Sequence, residues 1–143
     1  IVGPVDAIEH LTNLATHTTY GVPGYIQDAA LFALNQGTAF ETEISAPFQR
    51  RRLLAQDILA RQNAVSLVPA QGAMYVMLDI RSTGMTGEDF AYALLEKHHI
   101  AVMPGESFGE AAAGHIRVAM TIEDTRFAQA LATVCDFAEA LAA

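Results

Sequence analysis

At 143 residues, 52% hydrophobic and only 17% charged, the chain has the makeup of one globular domain, or of one domain plus part of another, rather than of a disordered segment. A formal net charge of −8 argues against nucleic acid or an anionic membrane surface as a partner, since both need basic patches. The single cysteine, Cys135, excludes an internal disulfide and fits a reducing, cytoplasmic setting, and no apolar run approaches the roughly 20 residues of a membrane span.

The opening "IVGP" reads as a strand end and a turn, with no initiator Met and no signal-type leader, so a fragment or processed chain is expected. A helix follows over about Asp6 to Thr18, with Ile8, Leu11, Leu14 and Ala15 on one face. "TYGVPGY" breaks it, and "IQDAALFALN" resumes a helix towards Gly37, whose tolerance of positive φ suits a C-cap. The next helix, about Thr38 to Gln62, contains Pro47, which predicts a bend near Ala46. Arg50, Arg51 and Arg52 within it read as a solvated helix face.

Strands then take over. "AVSLV" is short, whereas residues 73–80, "AMYVMLDI", alternate Met74, Val76, Leu78 and Ile80 against Tyr75, Met77 and Asp79. Thr86 is placed to cap the helix "GEDFAYALLEKHH". "IAVMPG" is a brief strand, "GESFGEAAAG" a connecting loop, and "GHIRVAM" a further strand. Thr121 with Asp124 forms a capping-box-like start to a last helix with Phe127, Leu131, Val134, Ala138 and Leu141 as its buried stripe. The expected fold class is α/β, of α+β type: a small mixed or antiparallel sheet with helices packed on it, preceded by further helices.

Chemistry is sparse. The glycine loops match neither a dinucleotide-binding nor a P-loop pattern, and the scattered or adjacent histidines lack metal-ligand spacing, so no metal is expected. Lys97, the sole lysine, ends an amphipathic helix and reads as solvated. Cys135 reads as a packed thiol. Arg117 stands out. Strand alternation sends Ile116, Val118 and Met120 to one face and His115, Arg117 and Ala119 to the other, and a guanidinium that cannot lose its proton needs water or an anion there. A cross-strand ion pair would satisfy it, and so would a bound carboxylate gripped by its planar fork of donors.

"VMPGESFGEAAAGHIRVAM" resembles the C-terminal stretch of the class I and II aminotransferases, pyridoxal-phosphate enzymes of the aspartate aminotransferase fold. "QGAMYVMLDI" resembles their small-domain strand and "FQRRRLLAQDIL" their interdomain helix, with Leu53 where an aspartate is common. The resemblance implies that Arg117 binds the substrate α-carboxylate, that Phe108 belongs to the loop beside it, and that Tyr20 and Gly21, in "HTTYGVPGY", reach towards a neighbouring subunit's cofactor in a homodimer. It implies amino acid and 2-oxo acid substrates and pyridoxal 5'-phosphate as cofactor. The cofactor lysine, phosphate-binding arginine and ring-pairing aspartate would all lie upstream of Ile1, leaving no catalytic residue here and an inactive piece. Residues 1–36 would then be the end of the large domain, with apolar helix faces left exposed or covered by a second copy, and 37–143 the small domain with the interdomain helix. "MYVMLDIRSTG" resembles the branch that includes arginine–pyruvate transaminases, with the aspartate branch equally open. A non-catalytic module that senses a small carboxylate through Arg117 is the competing reading.

Overall fold

The computed structural model describes residues 2–142. Ile1 lies outside them, and residues 2–4, expected as a strand end and turn, carry no regular structure. The chain divides into two compact units, Ile1–Ile44 and Ser45–Ala143.

The first unit holds α1 (Val5–Thr18), α2 (Gly24–Leu34) and the start of α3 (Thr38–Leu59). Pro4 and Pro23 immediately precede α1 and α2, where the fixed proline φ suits a helix start. None of the described residues of these two helices is buried, although Leu14, Tyr25, Leu31 and Phe32 are large and apolar. The expected C-cap is corrected here. Helix α2 stops at Leu34 with Asn35 as its cap, and Gly37, at φ +75°, turns the chain into α3 instead.

In the second unit α3 passes through Pro47 as a single helix. A proline removes one helical N–H and leaves the ladder on either side intact, while buried Ala55 and Leu59 anchor the later turns. The sheet follows: β1 (Ser66–Leu67), β2 (Tyr75–Asp79), β3 (Met103–Pro104) and β4 (His115–Ala119), in the order β1-β2-β4-β3. Every pairing is antiparallel, which selects that alternative over a mixed sheet.

One sheet face presents Val76 and Leu78 with Ile116 to a helical layer of α3, α4 (Gly87–His98) and α5 (Asp124–Ala142). Phe90, Leu94, Phe127, Leu131 and Val134 fill the space between, each burial stabilising by about 1.5–3 kcal/mol. The Phe90 and Phe137 rings meet at 5.1 Å, and the His98 ring stands edge-on to Phe137. Cys135 is buried and free, and burial pushes its thiol up to about 11, the inert packed state. No helix among the described residues is long and apolar enough to cross a membrane.

Two helix starts differ in their outcome. Thr86 caps α4 as expected, its hydroxyl accepting from the Asp89 N–H at 3.0 Å. At α5 the capping residue is Glu123 and not Thr121: its carboxylate accepts from the N–H groups of Thr125 and Arg126, at 2.7 and 3.1 Å. Asp124 is thereby released to bind Arg50 and Arg51. The arginine run is accordingly not a simple solvated face. Arg51 also donates to the Met120 carbonyl at 2.8 Å, and Arg52 to that of Ala70 at 3.2 Å, so all three hold α3 to later parts of the chain.

Candidate functional site

The face of the sheet opposite the helical layer carries the site. Period-2 alternation places His115, Arg117 and Ala119 there, and the register aligns Arg117 with Met77 of β2 and Met103 of β3. Tyr75 pairs with Ala119, so its ring lies on the diagonal from Arg117, within reach of a long side chain. The guanidinium carbon sits 4.1 Å from the Tyr75 ring centroid. It also sits 4.5 Å from that of Phe108. Phe108 comes from the segment after β3, expected as an open connection and folded instead into two short 3-10 turns, Gly105–Phe108 and Glu110–Ala112.

Both aromatic rings hold the guanidinium over their faces by cation–π attraction. Among the described residues no carboxylate lies within ion-pairing distance of Arg117 and no hydrogen-bond acceptor satisfies it. The nearest acid on this strand face, Asp79, is taken: Arg81 grips both its oxygens, at 3.0 to 3.1 Å from Nε and 2.5 Å from Nη2, and holds its carboxyl down to about 2. A depression of about 140 Å³, lined by Tyr75, Val102, Met103, Arg117 and Ala119, opens beside the guanidinium. A guanidinium with its fork of donors unpaired can accept a planar anion edge-on there.

The loop is held from beneath. Glu106 accepts from the backbone N–H of Gly87 at 2.9 Å and of Gly114 at 3.0 Å through the same oxygen, Oε1. These backbone donors hold its carboxyl below the usual glutamate range.

Of the residues singled out from the sequence, the structure brings Arg117 and Phe108 together. Tyr20 and Gly21 lie in the first unit, between α1 and α2, at φ 58° and 91°, with Tyr20 90% exposed. Tyr75 was not foreseen as a site residue. Its signal was available, since it shares the strand face of Met77 and Asp79, but only the β2–β4 register sets it beside Arg117.

Residues 1–134 match the family model described as aminotransferase class I and II. The chain belongs to this family. This aminotransferase chain is 40% identical over 122 residues to the arginine–pyruvate transaminase AruH of Pseudomonas aeruginosa, a match covering 85% of the chain and 31% of that protein. It is 27% identical over 133 residues to an aspartate aminotransferase of Pyrococcus horikoshii, covering 92% and 34%. Among solved structures, an aminotransferase from Staphylococcus aureus superposes with a TM-score of 0.77 at 34% identity, covering 96% of the chain and 36% of that structure. The chain spans about a third of the length of the curated relatives it matches.

The family implies pyridoxal phosphate, which needs a lysine to carry it. The described residues do not fit that group. Lys97, the sole lysine, ends α4 in the helical layer, with its Nζ 5.5 Å from the Phe137 ring centroid, on the far side of the sheet from Arg117.

Proposed function

We propose that this chain is the carboxylate-binding, C-terminal part of a pyridoxal-phosphate-dependent aminotransferase, and that Arg117 grips the α-carboxylate shared by the amino acid and 2-oxo acid substrates. The observation that carries the reading is the guanidinium held against the rings of both Tyr75 and Phe108, with no carboxylate among the described residues in ion-pairing reach. A bidentate pair fixes orientation as well as position, which holds the substrate's α-carbon in one place for proton movement. The lysine that performs that movement belongs, in this reading, to a part of the polypeptide beyond these 143 residues, and the chain alone is inactive. Residues 1–36 are the end of the large domain and 37–143 the small domain. The apolar side chains that α1 and α2 expose support this, since a large domain would cover them. The protein works as a cytoplasmic homodimer, with Tyr20 and Gly21 directed to the neighbouring subunit.

For the substrates, the 40% identity to an arginine–pyruvate transaminase favours an arginine and pyruvate pair over the aspartate type. The test is Arg117→Lys in a complete aminotransferase polypeptide containing this chain. An ammonium offers a point charge in place of the fork, and loss of a buried charge-assisted grip costs about 2–5 kcal/mol. The expected result is a fall in kcat/KM of roughly two to three orders of magnitude, alike for every amino acid accepted. Near-wild-type kinetics would reduce Arg117 to a surface cation.

A further inference from the structure

We propose that Glu106 is a positioning residue for Arg117: its carboxylate locks the 105–113 loop in the form that lays Phe108 on the guanidinium. This deepens the carboxylate-binding reading and rests on it.

Phe108 is 49% exposed and sits in a 3-10 turn, with neither helix nor strand to fix its ring. Arg117 has no ion pair among the described residues to fix its own orientation. The stack of these two side chains therefore depends on the shape of the loop between β3 and β4. That shape converges on Glu106. One of its oxygens takes the N–H of Gly87, the first residue of α4, and that of Gly114, the residue before β4. A single carboxylate thus ties the beginning of the loop to its end, and both to a helix N-terminus whose unpaired N–H groups and dipole favour negative charge.

The backbone around it is packed too closely for side chains. A Cβ on Gly105 would run into the carbonyl oxygens of Ala112 and His115, and one on Gly87 into the Glu106 carboxylate and the His115 carbonyl. The loop is folded back on itself around this one acid, two residues from Phe108. Without the charge, the Gly87 and Gly114 N–H groups lose their shared acceptor, and the turn carrying Phe108 is released.

The test compares NMR spectra of the full chain with those of Glu106→Ala, Glu106→Gln and Phe108→Ala. With Arg117 Cζ 4.1 and 4.5 Å from the Tyr75 and Phe108 ring centroids, the Arg117 Nε–H and Cδ protons of the native chain are expected to resonate upfield. Phe108→Ala calibrates the share due to Phe108. Glu106→Ala is expected to move the Arg117 signals downfield by most of that share, while the methyls of Leu78, Ile116 and Leu131 keep their positions. Glu106→Gln, which retains an acceptor oxygen, is expected to keep more than half of the upfield shift, and it carries the decision if Glu106→Ala does not fold. Titration with pyruvate, followed at the Arg117 Nε–H, should show affinity at least about threefold weaker in Glu106→Ala, with no further loss when Phe108→Ala is added. Unmoved Arg117 signals, or core methyls that shift as much as Arg117, would overturn the proposal. A native chain whose Arg117 ignores pyruvate would instead sink the carboxylate reading, and the ring-current shifts would still decide whether Glu106 holds Phe108 in place.

Discussion

Arg51 donates its Nε–H to Asp124 across 2.6 Å, joining the middle of α3 to the first residue of α5. The same guanidinium bonds the Met120 carbonyl, so its side chain, only 13% exposed, links α3 to the residue that follows β4. Arg51→Met should lower stability by about 1–2 kcal/mol, because the Met120 carbonyl loses a charged donor in a half-buried place. Arg50→Met removes only the exposed arm of the cluster and should stay within about 0.5 kcal/mol. Paired urea titrations of the two variants check the difference.

Tyr75 contributes a ring face, not its hydroxyl, to the guanidinium. Tyr75→Phe should therefore bind a 2-oxo acid as the native chain does. Tyr75→Leu loses the cation–π term of about 0.5–1 kcal/mol and should bind about two- to fivefold more weakly. Equal losses in both variants would point to the hydroxyl instead.

Gly105 is buried where the loop touches itself, and a methyl group there meets the backbone oxygens of Ala112 and His115. Carbonyls cannot swing aside as a flexible side chain can. Gly105→Ala should cost about 1–3 kcal/mol by overpacking and disturb Phe108, seen as a lower unfolding midpoint together with shifted Phe108 ring resonances.

Asp79 titrates at about 2 in the folded chain, against an ordinary 3.8, chiefly because Arg81 hydrogen-bonds its carboxylate. A depressed folded value means that the ionised form is favoured by folding, so the contribution is complete above about pH 4 and is lost as pH falls through about 2. Asp79→Asn should be less stable than the native chain at neutral pH. The gap in denaturation midpoint should close between about pH 4 and pH 2.

The side of the sheet that Arg117 faces was legible from the chain, because strand alternation depends on the backbone alone. The resemblance carried by "VMPGESFGEAAAGHIRVAM" reached the family without any structure. Its surroundings were not legible in the same way. Tyr75 reaches Arg117 only through the β2–β4 register, and Phe108 only through two short 3-10 turns that no apolar period announces. At the α5 start, Thr121 fits a cap by residue type and Glu123 does not, yet Glu123 takes the helix N–H groups while Asp124 meets arginines far along the chain. The run from Arg50 to Arg52 looked solvated for the same reason: local sequence is blind to partners some 70 positions away.

Both borders of the sheet, β1 and β3, are two residues long, and the second residue of β3 is Pro104, which has no N–H to offer. A foreign strand would find almost no open ladder to extend, so amyloid-like growth by edge addition is blocked at both borders. Self-association of this chain at high concentration would instead go through the uncovered apolar side chains of α1 and α2, such as Leu31 and Phe32, and should give amorphous clusters that retain native sheet content.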